Sequence, residues 1–197
     1  MTVAVILSEM RVQDVAYIAL FAALTAVLGL IPRVDLSFGP VPITAQSLGP
    51  MLAGSVLGAR RGALSQVLFL LLLAAGLPLL AGGRGGLGVF ATPSAGFVLA
   101  WPLAAAAIGA ATERLWSRLG LLTSLLINVL GGIGIVYAIG IPMLAVIAGL
   151  SLRDAGAASL VFVPGDLLKA ILAASVAIFV KRGYPVIEPR QARSEEL

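Results

Sequence analysis

The chain has no cysteine and no histidine. The first absence removes disulfides, thiolate nucleophiles and the usual cysteine zinc sites; the second removes the side chain most often used as a general base. Charge is scarce as well. Asp, Glu, Lys and Arg make up only 11% of the 197 residues, against about 25% in soluble domains. So few charged side chains cannot cover a water-soluble surface of this size. No Gly-Lys-Ser or Gly-Lys-Thr stretch follows a glycine-rich loop, so the chain carries no ATP-binding phosphate loop of its own. The basic residues stand singly or in pairs between apolar runs, with no basic face and no interleaved aromatics, which argues against nucleic acid as a partner. Glu9, Arg11 and Asp14 interrupt the first apolar stretch. A signal peptide places its basic residues before the apolar region, so no cleavage is expected here.

What is present is hydrocarbon. Hydrophobic residues make up 60% of the chain and the mean hydropathy is +1.08. Apolar segments cover residues 15–31, 44–57, 62–80, 94–111, 121–150 and 160–180. A helix needs roughly 20 apolar residues to cross a bilayer core. These segments therefore predict an all-α integral membrane protein with six transmembrane helices in one membrane domain, residues 15–182. A cytoplasmic segment, 1–14, precedes it. A polar cytoplasmic tail, 183–197, follows it and is expected to be disordered. Basic residues fix the orientation, because cytoplasmic loops are rich in Lys and Arg. With both termini inside, Arg11, Arg60, Arg61, Arg114, Arg118, Lys181, Arg182, Arg190 and Arg193 lie on the cytoplasmic side, and only Arg33, Arg84 and Arg153 lie outside. The expected location is the cell (inner) membrane.

Small residues mark a contact face. Ala19, Ala22, Ala23 and Ala26 recur at spacings of three and four on the first segment, so they share one side of that helix. In lipid, such residues let helices approach closely. The face suits packing inside this protein or docking on another membrane subunit, and a second copy of the chain is a further candidate partner.

Ionisable residues inside a bilayer are costly, about 2.5–3.5 kcal/mol each at the centre, and persist when they are paired or functional. The last segment carries Asp166 and Lys169, three residues apart and so on one helix face, just after Pro164-Gly165. Asp166 could serve as a helix cap with Lys169 snorkelling to the surface. Other polar residues on the same side of the membrane favour a site. Thr44 and Gln46 enter the short second segment from outside. Arg84 sits in an apolar, glycine-rich loop that reads either as a plain connector or as a lid hinged on its glycines. Tyr137 and Asn128 lie within the fifth segment, where either could line a cavity or bond across helices. Asp166, Lys169, Arg84, Gln46, Thr44 and Tyr137 are the candidate substrate-binding residues. Charges of both signs, neutral hydrogen-bonders and apolar walls suit a small amphipathic carboxylate. Arg84 or Lys169 would hold its carboxylate; Asp166 and Gln46 would hold a neutral head that donates N–H groups. No metal site and no catalytic residue is expected. An intramembrane enzyme is disfavoured, because the serines have no base beyond Lys169.

Four stretches together carry a resemblance: Pro42-Ile43-Thr44-Ala45-Gln46, then Leu52-Ala53-Gly54-Ser55-Val56-Leu57-Gly58, then Gly76-Leu77-Pro78 with Ala81-Gly82-Gly83, and Pro164-Gly165-Asp166 with Lys169. In this order and spacing they resemble the BioY family, the biotin-binding S components of energy-coupling-factor (ECF) vitamin transporters. The resemblance spans residues 16–180. It implies an S-component bundle that captures biotin from outside, with Asp166 and Lys169 in its site. It also implies that the first helix docks on a transmembrane coupling subunit through Ala19, Ala23 and Ala26. ATP hydrolysis would come from separate ATPase subunits, and this chain would need no cofactor. The alternative on the same scaffold is a stand-alone carrier, or a transporter of another vitamin or small solute.

Overall fold

Glycine and alanine decide which helices touch in this protein, a computed structural model that describes residues 10–35 and 41–187. Among the described residues the chain is helical, with isolated antiparallel bridges only at Val34–Ile43 and Leu80–Arg84. Helix α1 is Val12–Leu28, α2 is Leu48–Leu57 and α3 is Ala59–Ala74. A loop containing a 3-10 turn, Leu87–Ala91, leads to the short α4, Ala95–Leu99, and then α5, Trp101–Arg114. Helices α6, Leu121–Asn128, and α7, Val136–Ala148, are joined by a π-helical stretch, Val129–Ile135. The short α8, Leu152–Ser159, runs through a 3-10 turn into α9, Val163–Gly183. Three helical runs, Ala95–Arg114, Leu121–Ala148 and Leu152–Gly183, are long and apolar enough to cross a membrane, and α1 and α2 are shorter apolar helices.

The segment borders differ from the sequence expectation where glycine or proline intervenes. The third apolar segment was expected to run to residue 80, but α3 ends at Ala74. Gly76, at φ +105°, turns the chain there, and Pro78 cannot continue the helix. The second segment becomes helical only from Leu48, with Pro50 accommodated in its first turn, where no intrahelical N–H is needed. At the last segment, Pro164 stands in the first turn of α9, the start that Pro164-Gly165 suggested. The expected disordered tail falls mainly on residues 188–197, outside the described residues, as do residues 1–9 and 36–40.

The centre of the bundle is close-packed on small residues. A Cβ added at Gly54 would lie 2.6 Å from the Ala105 carbonyl oxygen of α5, and one at Gly62 would lie 2.8 Å from that of Ala53. Gly109 of α5 lies against the Ala59 backbone so closely that no side chain fits between them. Helices α2, α3 and α5 therefore pack backbone to backbone, as small-residue interfaces in lipid do. Apolar clusters fill the remainder, one around Phe69, Leu73 and Trp101 and another around Met51, Ile108 and Ala170.

Polar contacts define two ends. At one, Arg61 at the start of α3 pairs with Asp14 at the start of α1, Nε to Oδ1 2.7 Å. The same arginine donates from Nη1 to the Val186 carbonyl beyond α9, 3.0 Å. At the other end, the last turn of α1, the loop after α3 and the starts of α2 and α9 come together. That end holds the site.

Candidate functional site

Helix α9 opens with Val-Pro-Gly-Asp, which puts Asp166 in its first turn, where a carboxylate meets the positive end of the helix dipole. The side chain is buried, and three donors answer it. Tyr137 of α7 donates its hydroxyl to Oδ2 at 2.7 Å. Ser47, just before α2, donates to Oδ1 at 3.0 Å. Lys169, one turn further along α9, donates to Oδ1 at 2.8 Å and to the Ser47 hydroxyl at 2.9 Å. The expected Asp166–Lys169 pair is thus an ion pair, but one built into a cluster from three helical elements rather than a surface snorkel. Two of the three ammonium donors of Lys169 are occupied, which leaves one to spare.

This cluster forms one side of a cavity, and all six of Asp166, Lys169, Arg84, Gln46, Thr44 and Tyr137 line it. Leu80, Phe97, Val98, Trp101, Val136 and Phe162 supply apolar wall. Phe97 stands edge-on to both Tyr137 and Phe162, with ring centroids 5.9 and 6.4 Å apart. It reaches that position because Gly140 of α7 has no side chain to collide with its ring. Among the described residues the Thr44 hydroxyl has no hydrogen-bond partner and stays available to the cavity.

The glycine-rich loop closes another side. Gly76, Gly82, Gly83 and Gly86 all adopt positive φ, a conformation that needs glycine. Leu80 and Arg84 exchange backbone hydrogen bonds, Leu80 N to Arg84 O at 3.0 Å and Arg84 N to Leu80 O at 3.2 Å, which presents Arg84 at the cavity. The loop packs its Leu80 and Ala81 into the protein, where both are buried. Burial, and then the neighbouring charge of Arg33, push the Arg84 guanidinium below its usual range, while Asp35 acts against them. Only Nε of Arg84 has a protein acceptor among the described residues, the Ala81 carbonyl at 3.4 Å. A cation so placed is stabilised by any anion that enters.

Gln46 is spoken for by backbone on three sides. Its Nε2 donates to the carbonyls of Thr25 and Leu79, at 3.1 and 2.9 Å, and its Oε1 accepts from the Ala81 N–H at 2.8 Å. Asn128 turns away from the cavity and bonds Ser55 and the Ser124 carbonyl within the bundle. The alanine face divides. Ala22 is buried, Ala26 packs partly against the core, and Ala19 and Ala23 are exposed.

The model of the BioY family matches residues 2–186 of the chain. The chain belongs to the BioY family. The biotin transporter BioY of Rhizobium etli is 48% identical over 186 residues, covering 92% of this chain and all of the relative. The probable biotin transporter BioY of Bacillus subtilis is 50% identical over 169 residues, 86% of this chain and 90% of the relative. Among solved structures, the S component for biotin from an ECF-type ABC transporter superposes with a TM-score of 0.85 at 32% identity, covering 94% of this chain and 97% of that one. This BioY protein thus has the S-component fold, and it is a multi-pass protein of the cell membrane.

Part of the site carries little signal in the sequence. Ser47, directly after Gln46, joins α2 to the Asp166–Lys169 pair. One hydroxyl before a helix looks like any cap, and only its neighbours Thr44 and Gln46 could have drawn attention to it. The aromatic and aliphatic walls carry no distinguishing signal in a chain this apolar.

Proposed function

We propose that this BioY protein takes up biotin, as the membrane-embedded S component that captures the vitamin from outside and delivers it inward with an ATP-driven coupling module. It is a transport protein and not an enzyme. The observation that carries this reading is the joining of a buried Asp166, its partly buried partners Tyr137, Ser47 and Lys169, and a partly buried arginine in one apolar cavity. Biotin has matching chemistry: a ureido head with two N–H donors and a carbonyl acceptor, an apolar thiophane ring and chain, and a carboxylate. The ureido N–H groups would meet Asp166, and its oxygen would meet the spare donor of Lys169 or the Thr44 hydroxyl. Tyr137 would hold the carboxylate of Asp166 in place. The ring and chain would lie against Trp101, Phe97 and Val136, and Arg84 would take the ligand carboxylate. Nanomolar capture corresponds to about 12 kcal/mol. Spread over about 16 non-hydrogen atoms, that is roughly 0.8 kcal/mol each, within the ceiling for small ligands.

The same reading sets the topology. Helices α1, α2, α3, α4–α5, α6–α7 and α9 make six crossings, with the cavity end outside and both termini in the cytoplasm. Residues 15–182 form the membrane domain, and 1–14 and 183–197 are its cytoplasmic flanks. The clustering of basic residues at the end opposite the cavity supports this orientation. A coupling transmembrane subunit and ATPase subunits are the implied partners, since the chain has no phosphate loop. The outward-facing Ala19 and Ala23 offer that subunit a flat helix surface, with Ala26 at its inner margin.

The test is equilibrium binding of biotin to the detergent-purified protein, with Asp166→Asn and Lys169→Ala beside it. Tight binding by the wild type is expected. Each variant should lose at least about tenfold, because a hydrogen bond to a charged group is worth roughly 1.5–3 kcal/mol. No binding by a folded wild type sinks the biotin reading. Full binding by both variants moves the site elsewhere.

A further inference from the structure

We infer that Gln46 is a positioning residue, a buried tie that fixes the Arg84 loop to the last turn of α1 and so holds Arg84 where it meets the ligand. The inference rests on the biotin reading for its ligand, but the tie itself is a matter of backbone geometry. Gln46 is 1% exposed. A primary amide has two donor hydrogens and an oxygen with two lone pairs. Both hydrogens and one lone pair of Gln46 are already engaged by backbone.

Those partners are not arbitrary. Leu79 and Ala81 flank Leu80, the residue whose backbone is bridged to Arg84. Gln46 therefore grips the base of the small hairpin that presents the arginine. On its other side it reaches the Thr25 carbonyl, one of the four at the end of α1 that no intrahelical N–H need satisfy. The Thr25 side chain is held as well, since Gln66 donates to its hydroxyl at 3.2 Å. Gly29 completes the joint. A Cβ there would lie 2.5 Å from the Leu79 carbonyl oxygen and 2.8 Å from Gln46 Nε2. Its φ of −72° is open to any residue, so glycine is needed for space alone. Helix α1 is also the helix whose opposite face exposes Ala19 and Ala23, so the tie joins the arginine of the cavity to that helix.

The experiment measures biotin affinity for Gln46→Leu, Gly29→Ala and Arg84→Ala, and for each of the first two combined with Arg84→Ala. Alongside it, amide hydrogen exchange at Ala81 is followed in the ligand-free proteins. Gly29→Ala lies outside the cavity and keeps the glutamine, so it stands as the second variant if Gln46→Leu does not fold. Each single change should weaken binding about tenfold, and in the Arg84→Ala background the other two should add less than about twofold. Exchange at Ala81 should rise about tenfold or more in Gln46→Leu and Gly29→Ala. Penalties that multiply with that of Arg84→Ala, or an Ala81 amide as protected as in the wild type, overturn the proposal. If the wild type does not bind biotin, the biotin reading fails by itself, and the exchange at Ala81 alone decides the tie.

Discussion

Helix α9 carries one lysine near each end, and the two are used differently. Lys169, at the cavity, is answered by side chains, Asp166 and Ser47. Lys181, at the other end, is answered by backbone. It donates to the carbonyls of Trp116 and Leu119 at 2.6 and 3.1 Å and lies over the Trp116 ring, 5.2 Å from its centroid. The same contrast holds for the surroundings of each lysine. Around Lys181, Arg61 ties a carbonyl of the chain beyond α9 and Glu113 accepts from the first N–H of α3. Those charges tie helix ends and the chain just beyond them. Around Lys169, the polar groups hold more capacity than they use on each other: a spare ammonium donor, a free Thr44 hydroxyl and the terminal nitrogens of Arg84. Charge that finishes a terminus is structural. Unspent hydrogen-bonding capacity in an apolar cavity is what a ligand can use.

The largest effect expected from this division is at Asp166. Replacing it with alanine leaves a partly buried ammonium, a tyrosine hydroxyl and a serine hydroxyl without their common acceptor. Breaking a buried ion pair by removing one partner costs about 3–5 kcal/mol. Asp166→Ala should lower the melting temperature in detergent and reduce biotin affinity by about a hundredfold or more, read by calorimetry. If affinity survives, the unused capacity at this end serves something other than the ligand.

Tyr137→Phe is a gentler cut at the same end. It keeps the ring that stands against Phe97 and removes only the 2.7 Å bond to Asp166. The bond is made within the ligand-free protein, so its roughly 1.5–3 kcal/mol is lost mainly as stability, and affinity should fall by about tenfold as Asp166 is no longer held toward the ligand. Combined with Asp166→Asn, the two losses should not multiply, because the hydroxyl acts through the carboxylate. Multiplying losses would mean that Tyr137 touches biotin independently.

At the opposite end, Lys181→Met should leave biotin affinity within about twofold and lower stability by roughly 1–2 kcal/mol, less than the sum of a cation–π contact and two charge-assisted bonds because water takes over the freed carbonyls at this partly exposed end. Thermal unfolding followed with and without biotin separates the two readouts. A matching loss of affinity would erase the distinction between the two lysines.

How much of this was legible depended on how unusual a residue is in an apolar chain. Asp166 and Lys169 stood out because charge in lipid is costly, and Tyr137 and Arg84 because few polar groups compete with them. The cavity gathers all of these, with Thr44 and Gln46. Ser47 was not legible, since nothing in its own segment reveals that a helix more than a hundred residues later will meet it. The alanines show the limit of periodicity. Spacing by three and four places Ala19, Ala22, Ala23 and Ala26 along one broad stripe but cannot say which edge of the stripe the core covers, and the structure buries Ala22 while Ala19 and Ala23 stay exposed. The π-helical turn at Val129–Ile135 was also invisible, because its glycine pattern fits an ordinary α-helix equally well. In that turn Gly131 lies against Ile108 and Gly132 against Met51, too close for a side chain between them.

The smallest effect is expected at Glu113, and it tests the comparison from its weakest side. Glu113 at the end of α5 accepts from the Ala59 N–H at 2.7 Å, and so caps α3 from a neighbouring helix. The preceding residue, Gly58, has φ +83° and no side chain, which leaves room for the carboxylate. Glu113→Ala should cost about 1 kcal/mol, the usual value of a lost helix cap, and Glu113→Gln, which keeps an acceptor oxygen, should recover most of it. Both should bind biotin like the wild type. The other end of α5 carries Trp101, a wall of the cavity. A change in affinity from Glu113→Ala that Glu113→Gln does not restore would therefore mean that α5 transmits charge at one end to the shape of the site at the other, and the two ends could no longer be treated as independent.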